Sequence, residues 1–238
     1  MKKILLFLSI FVCVFAKDVI KVGISPDYPP FEYIENGKIT GFDHDLMVEV
    51  GKVLDAEIKF IEFNFDGLIA ALKTGKIDMI ASGMTKTKER EKTCEFSQNY
   101  YDSVTYFVKL DSSSNINSLQ DLSGKKVGAQ MGTIQANEVS KINGVVLELN
   151  ADPMYFITGV LKGKIDAFAI DSIVAKEYIK KHNNLTVFAK TQSGVNSSFN
   201  MAFKKGNTSL RDRVDEALTT LKTNGVYSKL LKKYDLED

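Results

Sequence analysis

From Ile20 onward, short apolar runs alternate with amphipathic stretches, and this rhythm restricts the fold more than any other feature of the chain. Runs of strand length separated by stretches of helical period are what parallel strands joined by helical crossovers require, each pair taking roughly thirty residues. Strands are predicted over 20–24, 57–60, 79–81, 126–129, 145–149 and 167–170. A helix over 42–54 would carry Phe42, Leu46, Val50 and Val53 on one face, and a second over 65–72 would carry Leu68, Ile69 and Leu72 before Gly75 stops it. At 119–126 the text LQDLSGKK makes a polar turn around Gly124, and the alternation then restarts without a long linker. The expected fold class is therefore α/β, in two lobes.

An internal echo supports two lobes. Residues 72–80 read LKTGKIDMI and residues 161–170 read LKGKIDAFAI, each a helix end, a glycine turn and a buried strand. Gly-Lys-Ile-Asp alone is an ordinary helix-to-strand turn. Both copies, however, bring the C-terminal end of a strand to a loop, where open α/β sheets bind ligands. The loops that follow are ASGMTKTKER at 81–90 and Asp171-Ser172, which opens a helix.

The N-terminus reads as a secretory signal. Lys2 and Lys3 precede an apolar run from Ile4 to Phe15, too short to span a bilayer stably, and Ala16 with Val14 suits cleavage after Ala16. Lipidation at Cys13 would want a small residue before the cysteine, where Val12 stands, so soluble export is the preferred reading. Removing the signal lowers the 31 basic residues by two, to 29 against 30 acidic. That balance argues against nucleic acid, which needs a basic face to neutralise phosphates. Only Cys94 would remain of the two cysteines, so stability must come from core packing. No second apolar stretch approaches the length needed to cross a membrane.

Several stretches carry a family resemblance: DYPPFEY at 27–33, GFDHDL at 41–46, FDGLIAALKTGKIDMIASGMTKTKERE at 65–91, FSQNYY at 96–101 and GTIQAN at 132–137. AIDSIVA at 169–175, MAFKKGN at 201–207 and LKTNGVYSKLLKKY at 221–234 continue the series. In this order and spacing the chain resembles the periplasmic binding proteins for polar amino acids that serve ABC importers, the bacterial extracellular solute-binding proteins of family 3. The glutamine, arginine, histidine and lysine-arginine-ornithine binders belong there, and GISPDYPPFE, FDGLI and SGMTKTKER read most like the arginine binders. The resemblance implies two lobes with central mixed, mostly parallel sheets joined by two hinge crossings. Lobe 1 is expected at 17–108 with 203–238 and lobe 2 at 109–202, with hinge strands near 104–110 and 198–203. It also implies a monomer in the periplasm that captures a free L-α-amino acid and delivers it to an ABC transporter membrane permease, without a cofactor or metal.

A zwitterion leaving water needs its carboxylate and its ammonium each met by opposite charge and hydrogen bonds. Arg90 falls on the family's carboxylate anchor, where a guanidinium grips two oxygens in one plane. The same loop would present the Thr85 N–H to carboxylate and the Gly83 carbonyl to ammonium, with Ser82 beside them. Thr133 and Ile134, after Gly132, would begin a helix whose free N–H groups face the carboxylate. Asp171, otherwise a plain helix cap, would receive the α-ammonium. Tyr28 and Phe65 fall where relatives place rings that sandwich the ligand's side chain, adding cation–π attraction for arginine or lysine. Phe31, Phe42, Phe63 and Phe96 are assigned to the core. Glu32 and Gln130 are candidates for the far end of the side chain, and Glu32 could equally be solvated at the cleft rim.

Two positions depart from parts of the family. Several relatives have aspartate at the place of Ser25, where it helps to recognise the side chain, and the glutamine binder has lysine at the place of Gln130. Some arginine binders share serine at Ser25, which puts arginine or lysine first as ligand, then histidine or glutamine. Two rival readings use the same fold. A cyclohexadienyl dehydratase-like enzyme would need a base, for which Glu32 is the one acid near the expected pocket. His44 and His182 stand alone in charged helices, and no cysteine, histidine or carboxylate cluster has metal spacing. A sensor module is usually tethered to a membrane or kinase segment, whereas this chain ends at Asp238 soon after its last helix; service to a chemoreceptor remains compatible with a free binding protein.

Overall fold

The computed structural model describes residues 17–113, 115–191 and 198–237. The expected export segment 1–16, with Cys13, lies outside them. The strands are Asp18–Ile24 (β1), Asp27–Tyr28 (β2), Glu32–Glu35 (β3), Lys38–Thr40 (β4), Ala56–Glu62 (β5), Met79–Ile80 (β6) and Cys94–Asp102 (β7). They continue with Thr105–Leu110 (β8), Lys126–Gln130 (β9), Val146–Asn150 (β10), Ala167–Asp171 (β11), Leu185–Thr191 (β12) and Ser198–Lys204 (β13). The α-helices are Phe42–Val53 (α1), Leu68–Lys73 (α2), Lys88–Glu91 (α3), Ile134–Ser140 (α4), Pro153–Leu161 (α5), Ser172–Lys181 (α6), Thr208–Thr223 (α7) and Val226–Lys233 (α8).

Each lobe is built on one five-stranded sheet, in the orders β5-β1-β6-β13-β7 and β10-β9-β11-β8-β12. The two orders are the same pattern: second strand, first, third, a strand that has just crossed from the other lobe, then the fourth. That crossing strand runs antiparallel to both neighbours, β13 to β6 and β7 and β8 to β11 and β12. The remaining pairs are parallel, so four strands of each sheet share one direction.

The expected lobe boundaries at 108 and 202 fall inside β8 and β13 and are corrected by the pairing. All of β8 belongs to the second sheet and all of β13 to the first, so the first crossing lies at Ser103–Val104, and β12 in the second sheet is followed by β13 in the first. An extended apolar segment such as VTYFVKL reads in sequence alike as a hinge or as a sheet strand. Burial decides between them: Phe107 and Val108, like Phe199, Met201, Ala202 and Phe203, have no exposed surface.

Local sequence explains the elements. In α1 the buried residues are Phe42, Asp43, Leu46, Met47, Val50 and Gly51, the stripe of a 3.6-residue period facing the sheet. Val53, expected on that face, is 42 % exposed, while Leu54 just beyond it packs on the core. The helix expected over 65–72 begins as a 3-10 turn at Phe65–Gly67 before α2. Asp152 caps α5 by accepting from the Met154 N–H at 2.8 Å, with Pro153 in the first turn where no N–H is needed. Phe31, Phe42 and Phe96 are buried and Phe63 is half-buried against the α2 cluster. His44 lies against Phe60, the ring centroids 4.5 Å apart.

Candidate functional site

Strand ends and the loops after them meet between the lobes. Asp27 and Tyr28 form β2, Glu32 opens β3, Phe65 heads the turn before α2, and Ser82, Gly83 and Thr85 follow β6. Arg90 comes from α3. From the second lobe come Gln130 at the end of β9, Thr133, Ile134 and Gln135 at the start of α4, and Asp171 at the end of β11. Together these residues line a cleft between the lobes.

Direct bonds cross the cleft, so the lobes are closed on one another. The Tyr28 hydroxyl donates to Asp171 Oδ2 at 2.7 Å and accepts from the Asp171 N–H at 3.3 Å. Arg90 Nη2 donates to the Gly132 carbonyl at 2.9 Å, while Nη1 donates to the Thr85 carbonyl of its own lobe at 2.6 Å. Gln130 Nε2 donates to Asp27 Oδ2 at 3.1 Å and to the Ala151 carbonyl at 2.9 Å. Gly132 sits at φ +79°, and a Cβ there would lie 3.0 Å from Asp66 Cα. Only glycine allows both that backbone and that approach of the lobes.

Charge in the cleft is unevenly satisfied. Arg90 lies 5.5 Å above the Phe65 ring, and burial of the guanidinium pulls its pKa down to about 10. Among the described residues no carboxylate lies within 4.0 Å of it. Asp171 is buried, its Oδ1 has no hydrogen-bond partner, and burial raises its pKa to about 6, an effect that Tyr28, Ser103 and Gln135 partly offset. Glu32 is 1 % exposed, which rules out its placement at a solvated rim. Its Oε1 accepts from Ser82 Oγ at 2.8 Å, and burial together with the negative charge of Asp43 pushes its pKa well up. Asp43, raised to about 6 by burial, accepts from the Gly83 N–H at 2.9 Å and the Tyr100 hydroxyl at 2.7 Å. Burial thus raises both acids of this pair, and the charge of Asp43 adds to the rise at Glu32.

The structure gathers the expected residues Tyr28, Glu32, Phe65, Ser82, Gly83, Thr85, Arg90, Gln130, Thr133, Ile134 and Asp171 around this cleft, and leaves out Ser25. Ser25 is buried behind it, its N–H donating to Ser82 Oγ at 3.0 Å and its hydroxyl to Asp27 Oδ2 at 3.3 Å. Other roles differ in detail. Thr133 is the cap of α4, its hydroxyl accepting from the Ala136 N–H, and its own N–H donates to Gln130 O at 3.3 Å. The amides with no partner one turn back are therefore those of Ile134 and Gln135. Tyr28 holds Asp171 through its hydroxyl, and one face of Phe65 is occupied by Arg90.

Sequence reasoning missed Asp27 and Gln135. Aspartate in a Ser-Pro-Asp-Tyr turn is ordinarily a surface turn residue, and Gln135 stands one place beyond the helix start that drew attention. Both end with unpartnered buried atoms, Asp27 Oδ1 and Gln135 Nε2.

A probable histidine-binding protein of Campylobacter jejuni is 38 % identical over 219 residues, 92 % of this chain and 85 % of the relative. An arginine-binding extracellular protein of Bacillus subtilis is 36 % identical over 220 residues, 90 % of this chain and 84 % of the relative. Among solved structures, an ancestral arginine-binding protein bound to arginine superposes with a TM-score of 0.87 at 34 % identity, covering 92 % of this chain and 98 % of its own. The family model of the bacterial extracellular solute-binding proteins, family 3, matches residues 20–237. The chain belongs to the bacterial extracellular solute-binding proteins of family 3.

Proposed function

We propose that this protein is exported to the periplasm with residues 1–16 removed, closes its lobes on one free polar or cationic L-α-amino acid, and delivers it as a monomer to the permease of an ABC importer. The ligand is bound and released unchanged. The observation that carries the reading is a pair of opposite charges in one closed cleft, Arg90 from the first lobe and Asp171 from the second, each with unspent bonding capacity. A zwitterion supplies both missing partners: its carboxylate takes the guanidinium and the open amides of α4, and its ammonium takes Asp171 Oδ1. The relatives reported above are named for histidine and arginine, which supports a free amino acid and a basic side chain.

A thermal-shift screen of the twenty amino acids tests it. Arginine or lysine should stabilise most, histidine or glutamine next, and aspartate or glutamate little, because a second carboxylate would lie among Asp27, Glu32 and Asp171. Ligand at about a hundred times its dissociation constant adds roughly 2.7 kcal/mol to the folded state. A dominant response to an acidic or small apolar amino acid would overturn the side-chain reading. Silence to all twenty would overturn the amino-acid reading itself.

A further inference from the structure

Once an α-amino acid is placed against Arg90 and Asp171, the cleft still holds carboxylate oxygens without a partner, on Asp27 and Glu32, and Asp27 is the one held from both lobes. Asp27 Oδ2 is held from both lobes, by Ser25 Oγ at 3.3 Å and by Gln130 Nε2 at 3.1 Å, while Oδ1 is buried and has no hydrogen-bond partner. Among the described residues no lysine, arginine or histidine lies within 4.0 Å of it. Glu32, the other acid lining this wall, has Oε2 likewise without a partner, but its Oε1 is held by Ser82 of its own lobe alone and a second carboxyl, Asp43, stands beside it, whereas Asp27 is gripped from both lobes.

We propose that Asp27 is the counter-ion for a positive charge on the ligand's side chain and sets the preference for a cationic amino acid over its neutral isostere. The inference rests on the amino-acid reading of the cleft. A cation leaving water needs an ion partner, whereas a neutral group of the same shape needs only hydrogen bonds. The two donors on Oδ2 fix the carboxylate and leave Oδ1 without a partner, an acceptor held in place for a cation. Burial raises Asp27 to about 7, with Asp152 at the head of α5 adding to the rise and Gln130 and Ser25 opposing it. The groups facing it from the surrounding elements are those three, Glu32 on β3 and Tyr178 on α6. Proton and cationic side chain therefore compete for Asp27.

L-arginine and L-citrulline, which differ in the charge of the terminal group, provide the test by calorimetry on the purified protein. The wild type at pH 7.5 should prefer arginine by thirty-fold or more. Asp27→Asn, which keeps the acceptor to Gln130, should weaken arginine binding at least tenfold and move citrulline by less than threefold. Lowering the pH from 8 to 5.5 should reduce the wild-type preference and leave that of the variant flat; the wild-type profile needs no variant to fold. A wild type that binds amino acids but prefers citrulline, a preference insensitive to pH, or one unchanged in Asp27→Asn would overturn the role of Asp27 and leave the amino-acid site standing. A wild type that binds no amino acid would overturn the site and this inference together.

Discussion

Arg90 is a cation held by two carbonyls and neutralised by no carboxylate within 4.0 Å among the described residues. Such a group is costly in the empty protein, since its desolvation is offset only by dipoles. Arg90→Met should therefore leave the melting temperature of the unliganded protein unchanged or raise it, while abolishing the shift that the amino acid produces. Loss of one member of a buried charge pair weakens binding by about 2–5 kcal/mol, thirty-fold to several thousand-fold. Asp171→Ala should lose binding similarly, and Lys88→Ala, exposed on the same short helix, should not; a variant at Arg90 with wild-type affinity by calorimetry would refute the assignment. Arg90 and Asp171 were legible in the sequence because each stands in a distinctive stretch of the resemblance. Asp27 was not, because a turn aspartate looks the same whether it faces water or a cleft. Nor were the actual roles of Tyr28 and Ser25, since a hydroxyl's partner lies across the fold: Tyr28 meets Asp171, 143 residues away.

The βα period revealed most of the regular elements, and where it failed the elements were short or ambiguous. The sheet of β2, β3 and β4, with strands of two to four residues, was not read, although Asn36-Gly37 at φ 51° and 72° is the left-handed pair that a two-residue hairpin needs. β8 and β13 were read as hinges because an extended apolar run does not disclose which sheet it joins. Packing between elements was beyond the period altogether. Gly128 lies in β9 beneath α5, and a Cβ there would fall 2.2 Å from Phe156 Cδ1 and 2.8 Å from its Cβ. Those atoms are near the root of a buried ring and cannot swing aside. Gly128→Ala should destabilise the protein by about 1–3 kcal/mol through overpacking, visible as a lower denaturant midpoint with an unchanged slope; a midpoint equal to that of the wild type would show that α5 shifts freely on its sheet.

The two lobes bring a set of buried acids face to face, and this gives the whole molecule an unusual response to pH. Burial raises Asp27 to about 7 and Asp43 and Asp171 to about 6, above their ordinary value of 3.8. A carboxyl raised on folding binds its proton more tightly in the native state. Its contribution to stability is complete below about pH 4 and is lost as the pH rises through the folded value. Between about pH 4 and pH 7 the native protein thus holds more protons than the unfolded chain. Acids lowered on folding, such as Asp45, Asp121 and Asp235, act below that window. The unliganded protein should accordingly melt at a higher temperature at pH 5 than at pH 7.5. A bound cationic amino acid reverses the trend, because its ammonium and side chain favour ionised Asp171 and Asp27 and its stabilisation grows as these lose their protons. Thermal unfolding at the two pH values, with and without saturating arginine, measures both slopes. An empty protein that gains stability from pH 5 to 7.5 would mean that the acids of the cleft ionise freely in water, and that the lobes stand open until the ligand closes them.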